Sequence, residues 1–327
     1  MTRVAAIDCG TNSVRLLVAD LPAGDDGTAS LTDRSRRMEI VRLGEGVDRT
    51  GRLAPGAIER TRVALAGYAE EIEALGAERI RMVATSASRD AANADEFRAM
   101  VVATLGIAPE VVTGEEEARL SFTGAVRGLP TELPPPYLVV DIGGGSTEFV
   151  LGERDVEGAV SVDIGCVRMT ERHLRDDPPT PPQIAAAEAD IDAAIGRALA
   201  VVPGGRARTV VGLAGSVTTV TALALGLDAY RPERIHHAEV TATQVAEVTA
   251  TLLGMTHAER LALPVMHPGR ADVIGAGALI LHRILRAVGG STVVASEHDI
   301  LDGIAFSLGA PAGTAGTAGT GYGIADK

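Results

Sequence analysis

The chain has 327 residues, enough for about two domains, and its 46 % apolar content excludes disorder over most of its length. A net charge of −13 is the wrong sign for a dedicated nucleic-acid binder or an anionic membrane surface, and 2 % aromatics leave no stacking platform for single strands. Lysine occurs once, at Lys327, so an anion site has to be built from arginine, backbone N–H groups or a metal ion.

The apolar run Val4-Ala-Ala-Ile ends at Asp8, too early for a signal peptide, and a polar turn through Gly10 and Ser13 leads into a second run, Val14 to Ala19. This pattern predicts strand, turn, strand. Pro55 and Gly76 bracket a helix whose Ile58, Thr61, Leu65, Tyr68, Ile72 and Leu75 share a face. Ile80 to Ala84 reads as a strand. The following Ala84-Thr-Ser-Ala-Ser-Arg-Asp90 either offers Ser86, Ser88 and Arg89 to an anion or is a solvated loop. Asn93 opens a helix with Glu96 as capping-box partner and Gly106 as its stop. Thr113, with Glu116 as partner, opens another. Its first turn carries Glu115, Glu116 and Glu117, which suit the helix dipole whether or not any is catalytic. The proline-rich stretch from Leu129 to Pro136 reads as the crossing between domains.

Leu138-Val-Val-Asp141-Ile-Gly-Gly-Gly-Ser146 repeats the first hairpin 133 residues on, which implies two homologous domains. Thr180 caps a helix bearing Ile184, Ile191, Ile195 and Leu199, and Arg208 to Leu213 is a strand entering a Gly215-Ser216 turn. Val210 to Leu227 is 18 residues without a charge, but its glycines and threonines divide it into strand, turn and helix rather than a membrane span. An apolar helix from Ala271 to Val288 has Gly275 and Gly277 for close packing on a sheet. A strand (Ser291 to Ala295), a closing helix (Asp299 to Leu308) and a Gly/Ala/Thr tail complete the chain. Such alternation predicts a mixed α/β protein. Cys9 and Cys166 make no disulfide framework and read as buried thiols of a reducing compartment. His236, His237, His257, His267 and His298 have no nucleophile at a recognisable spacing and read as surface or loop residues.

Asp141-Ile-Gly-Gly-Gly-Ser-Thr-Glu148 carries the strongest chemical signal. Consecutive glycines expose backbone N–H groups to a polyanion, and the flanking carboxylates suit a hard cation that bridges to it. A turn that needs glycine only for its geometry is the alternative. The related turn at Asp8 favours phosphate.

Ile7-Asp-Cys-Gly-Thr-Asn-Ser-Val-Arg15, Arg42-Leu-Gly-Glu-Gly-Val, Ala84 to Asp90, Gly114-Glu-Glu-Glu-Ala-Arg-Leu, Asp141 to Glu148 and Gly212-Leu-Ala-Gly-Ser together resemble the exopolyphosphatase and guanosine pentaphosphate phosphohydrolase family, from about Val4 to Leu308. The resemblance implies an α/β fold of two ribonuclease-H-like domains of the actin-like ATPase superfamily around a central cleft. These are residues 1–125, with 299–308 returning to them, and residues 126–298, followed by a disordered tail, 309–327. Carried over by residue, Glu117 is the general base. Asp141, Glu148 and Asp8 attend a catalytic Mg²⁺ (or Mn²⁺). Asn12, Ser13, Gly143, Gly144, Gly145 and Ser146 cradle phosphate, and Arg89 binds it.

The implied activity is that of a cytoplasmic, metal-dependent phosphoric anhydride hydrolase releasing orthophosphate from inorganic polyphosphate, with guanosine pentaphosphate as a second or even the main substrate. A kinase or an actin-like nucleotide-binding protein would share the fold, though Glu-Glu-Glu-Ala-Arg argues against the kinase. No nucleic acid or membrane partner is expected, and a homodimer is compatible with the sequence. Cys9 stands where the family usually has an aliphatic residue, a change of packing. Longer relatives carry a further C-terminal histidine–aspartate-type domain that this chain lacks, so short polyphosphate is the expected substrate.

Overall fold

A computed structural model describes residues 2–22 and 31–309, so the tail beyond Gly309 lies outside the described residues. In the first lobe run β1 (Arg3–Cys9), β2 (Ser13–Asp20), β3 (Thr32–Ile40), α1 (Val47–Thr50), α2 (Pro55–Leu75), β4 (Arg79–Ala84), α3 (Ser86–Asp90), α4 (Ala94–Leu105), β5 (Glu110–Val111) and α5 (Gly114–Val126). Next come β6 (Tyr137–Ile142), β7 (Thr147–Gly152), β8 (Val156–Val162), α6 (Cys166–His173), α7 (Pro181–Val201), β9 (Thr209–Leu213), α8 (Ala214–Ala224), α9 (Pro232–Ile235) and β10 (Glu239–Thr241). The remaining elements are α10 (Ala242–Gly254), α11 (His257–Leu261), α12 (Ile274–Val288), β11 (Thr292–Ala295) and α13 (Ile300–Ser307).

Two mixed sheets follow from this order. The first is β3-β2-β1-β4-β5, and the second, β10-β11-β9-β6-β7-β8, contains the same arrangement with one strand added. In each, an antiparallel meander precedes parallel strands. This is the duplicated α/β fold that the internal repeat predicts. Each predicted hairpin gains a third strand. β3 reads Thr-Asp-Arg-Ser-Arg-Arg-Met-Glu-Ile, with charge on both faces and no alternation to betray it; its register with β2 and its edge position make it a strand.

Other differences are local. Asn93 does not cap α4: its side chain instead bonds the backbone N–H and C=O of Leu53, at 2.8 and 3.1 Å, pinning a neighbouring loop. The segment after β4 is a helix rather than a solvated loop, with Ser86 and Ser88 buried. Gly277 lets α12 approach α8 rather than a sheet, since a Cβ there would collide with the Ser216 side chain. The uncharged stretch is split between β9 and α8, and among the described residues no helix is long and apolar enough to cross a membrane. His236 lies against both His237 and His298, its ring centroid 3.6 and 4.5 Å from theirs and the rings tilted by 32° and 44°.

Two helices join the lobes. Leu120 of α5 sits in the core of the first sheet with Val4, Ala6 and Leu17, whereas Ala118, Phe122 and Ala125 of the same helix pack with Val139, Val150 and Leu213 of the second. α13 adds Ile300, Leu301, Ile304 and Ala305 to that first core. It crosses α5 so closely that a Cβ on Gly303 would overlap the Leu120 carbonyl, and one on Gly124 the Asp299 carbonyl. Asp299 caps α13, its Oδ1 accepting from Leu301 N at 3.0 Å. The last helix is thereby fixed to the sheet with which the chain begins.

Candidate active site

The two glycine turns are the same structure. Gly10 N donates to Ser13 O and Gly143 N to Ser146 O, each at 3.0 Å, in positions 133 residues apart. Beyond each turn the strand register sets one pair of side chains opposite each other: Asp8 against Arg15, and Asp141 against Glu148. The first pair is neutralised. Asp8 Oδ2 accepts from Arg15 Nε and Nη2 at 3.0 and 2.7 Å, and Arg15 Nη1 donates to Asp299. The second pair is two carboxylates, an arrangement that repels unless a proton or a cation intervenes.

These groups meet in one cleft. Its walls include Asp8, Asn12, Ser13, Arg15, Glu117, Asp141, Gly143, Gly144, Ser146 and Glu148, nine of which were expected from the sequence. Two expected residues are elsewhere. Gly145 packs against the first lobe, where a Cβ would stand 2.7 Å from Ser86 Oγ and 2.9 Å from Thr11 Oγ1. Arg89 reaches the cleft only through Glu117: its Nη1 donates to Val112 O at 2.9 Å and to Glu117 Oε2 at 3.3 Å. Ser86 lines the cleft, as the anion-binding reading of its segment expects, and Thr11, Cys166, Ser216 and Arg270 join it unexpected. Arg15 was legible as the counterpart of Glu148 in the repeat. Arg270 had no local signal, because it arrives just ahead of α12 from the far end of the second lobe.

Burial and like charge shape the acids. Glu117 is 8 % exposed, and burial followed by Glu148 pushes its carboxyl well above the usual range, with Arg89 opposing. Burial followed by Asp141 raises Glu148, although Ser161 Oγ donates to its Oε1 at 2.7 Å. Asp141 is raised by burial and then by Asp299, with Ser121 Oγ donating to Oδ2 at 2.7 Å. Asp8 is raised chiefly by burial, and its Oδ1 is buried with no hydrogen-bond partner. Among the described residues no three His, Cys, Asp or Glu side chains form a ready-made metal cage. Mg²⁺ does not require one, since it takes one or two carboxylates and completes its shell with water and substrate oxygens. Buried hard-oxygen donors in excess of the cations, one oxygen of them unsatisfied, fit such an ion.

The cleft continues past Arg15, Met38, Gly215 and Arg270 into a cavity of about 440 Å³. Arg36 and Arg37, paired with Asp302 and Glu71, line it together with Glu297 and Asp299, and Tyr230, Met266 and Pro268 form part of its apolar wall. The start of α8 forms part of the cleft floor, and no side chain caps that helix.

Residues 23–309 match the Ppx/GppA phosphatase family. The chain belongs to this family. It is 53 % identical over 317 residues to Exopolyphosphatase 2 of Mycobacterium tuberculosis, an alignment covering 94 % of this chain and 99 % of that protein. Among solved structures, an exopolyphosphatase-like protein superposes with a TM-score of 0.90 at 44 % identity, covering 94 % of this chain and 99 % of the other. The Ppx/GppA enzyme of Aquifex aeolicus follows at 0.78 and 32 %, with the same coverage. The family is one of hydrolases, and the overall fold is shared with its solved members.

Proposed function

We propose that this enzyme is an exopolyphosphatase, cleaving the terminal phosphoanhydride bond of an inorganic polyphosphate. One observation carries the reading: two equivalent glycine turns and an uncapped helix start face the same cleft as four buried carboxylates, in a chain closely similar to an exopolyphosphatase. The turns offer N–H groups to the terminal phosphate, as helix starts do for anions. Glu117 accepts a proton from the attacking water. The new O–P bond forms at the terminal phosphorus as the bridging P–O bond breaks, and the bridging oxygen leaves with the shortened chain. A carboxylate whose proton affinity is raised by burial is a stronger base than a free one, and the Arg89 contact opposes that rise without cancelling it.

Asp141 and Glu148, with the unpaired Oδ1 of Asp8, would hold a divalent cation, Mg²⁺ or Mn²⁺. When bound, such an ion neutralises phosphoryl charge. The donor balance supports it: of the cleft's arginines, Arg15 is committed to Asp8 and Asp299, leaving Arg270 against the acids. Arg270 faces the next phosphate, while Arg36 and Arg37 lie beyond it already paired with Asp302 and Glu71. The apolar wall at Tyr230, Met266 and Pro268 favours guanosine pentaphosphate as a second substrate, because a base can lie there while its phosphates meet the same turns.

The test is orthophosphate release from tripolyphosphate, long polyphosphate and guanosine pentaphosphate side by side. Release from the polyphosphates is expected. Transfer to a sugar or acetate acceptor without net release would assign a kinase instead, and nucleotide-dependent pelleting without hydrolysis would assign a filament protein.

A further inference from the structure

The glycine turn of the second lobe is continuous with α6. Cys166 N donates to Gly143 O and Val167 N to Gly144 O, both at 2.9 Å, and Arg168 N donates to Gly144 O at 3.1 Å. A Cβ on Gly165 would collide with the Gly144 carbonyl, so the two backbones touch. From this unit the Arg168 side chain, 13 % exposed, spreads to three acceptors: Gly145 O, Asp48 Oδ1 and Asp90 Oδ2, each at 2.7 Å. The carboxylates belong to the first lobe, Asp48 in α1 and Asp90 in α3. One turn later Glu171 accepts from Gly46 N at 2.9 Å, and Arg172 Nη2 donates to Asp48 Oδ1 at 3.0 Å. Asp90 follows Arg89, whose guanidinium bonds Glu117. Adjacent residues of one short helix therefore hold the base on one side and, through Arg168, the phosphate-facing turn on the other.

We infer that Arg168 is a positioning residue for the hydrolysis, fastening the Gly143–Ser146 turn to Asp48 and Asp90 of the opposite lobe so that the turn and Glu117 keep a fixed relation across the cleft. This rests on the hydrolase reading above. A planar guanidinium can serve three acceptors in three directions, which a lysine ammonium on a flexible stem cannot hold in register. A shift of about 1 Å between reacting groups costs on the order of 10²-fold in rate, so a loose turn is felt in kcat.

The experiment uses the full chain with Mg²⁺ and tripolyphosphate, and compares Arg168→Gln, Arg168→Lys, Asp90→Asn, Asp48→Asn and the Arg168→Gln/Asp90→Asn double variant. Arg168→Gln is expected to lose about 30- to 100-fold in kcat with KM nearly unchanged, and Arg168→Lys to recover part of it. The double variant should be no slower than Arg168→Gln, since both changes break one linkage. A kcat within about twofold of wild type for Arg168→Gln would overturn the inference, and so would losses that multiply in the double variant or appear only in KM. Small-angle scattering reads the same linkage without substrate: Arg168→Gln should have a larger radius of gyration than wild type, and equal radii would overturn the clamp. If wild-type protein hydrolyses none of the substrates, the hydrolase reading falls while scattering still decides the clamp.

Discussion

Replacing Glu117 by Gln keeps size and shape and removes only the basic carboxylate. The side chain is buried, with Arg89 as its ion-pair partner at 3.3 Å, and Glu148, Asp141 and Asp8 all oppose its ionisation. Loss of a general base costs about 10²–10⁴ in rate, equivalent to about 3–5 kcal/mol of transition-state stabilisation. Stability should move the other way. An ionised carboxylate whose proton affinity rises on burial weighs against the fold, by about 1.4 kcal/mol for each tenfold rise. Removing it should raise Tm, with Arg89 still able to donate to the Val112 carbonyl and to the Gln amide oxygen. Glu115→Gln is the control. Glu115 is exposed and pairs with Arg119 at 2.8 Å along the helix, a contact of about 0.3–0.5 kcal/mol with no path to the cleft. The assay is orthophosphate release from tripolyphosphate at saturating substrate, with melting followed in parallel. Equal rates in the two variants would refute the assignment, and a slow Glu117→Gln protein that also melts early would point to structure instead of chemistry.

Exhaustive chelation should abolish turnover, and Mg²⁺ or Mn²⁺ should restore it; full activity without metal would exclude the cation site. Burial and Asp141 push Glu148 up to about 8 from an ordinary 4.5, so its stabilising protonated form is complete below pH 4.5 and lost as pH rises through about 8. The metal-free protein should therefore lose Tm between about pH 5 and 8, Glu148→Gln should flatten that slope, and a rising Tm across this window would contradict the raised carboxyl. Catalytic efficiency should level off within a few phosphates of chain length, because beyond Arg270 the adjoining cavity offers Arg36 and Arg37, already paired with Asp302 and Glu71; continued gain on long chains, read as kcat/KM across a length series, would require a longer cationic track. Gly303→Ala forces a methyl into the Leu120 carbonyl and should cost about 3 kcal/mol or more, seen as a lowered denaturation midpoint.

Much of this architecture is legible in the sequence because the repeat is local. Each turn is written in a few consecutive residues, and Pro55, Gly76 and Gly106 mark helix ends that the structure reproduces, both glycines at positive φ. What stays hidden depends on partners distant in the chain. β3 is a strand because β2 lies beside it, and Asn93 leaves its cap because its side-chain amide pairs with the backbone N–H and C=O of Leu53. Nothing near residue 270 announces that its arginine enters the cleft, nor does the sequence say that Arg89 faces Glu117 instead of solvent. The acidic run at Glu115, Glu116 and Glu117 shows the limit most clearly. All three suit a helix start, and only burial separates Glu117 from exposed Glu115 and half-buried Glu116, a consequence of α5 lying between two sheets.

The duplication also explains why the chemistry is lopsided. Two identical turns could have formed two equivalent anion sites, but the residue opposite the turn aspartate differs between them. In the first lobe Arg15 neutralises Asp8 and ties it to Asp299, so that half of the cleft is a settled ion-pair network. In the second, Glu148 stands where the repeat would have an arginine, and a second carboxylate is buried beside Asp141. Such a pair lowers the stability of the empty protein, since two buried like charges can relax only by taking up a proton or a cation. A fold selected for stability alone would favour an arginine there, as at Arg15. The acid in its place leaves an unmet demand for positive charge beside the second glycine turn, and that demand is the physical argument for the proposed divalent cation there.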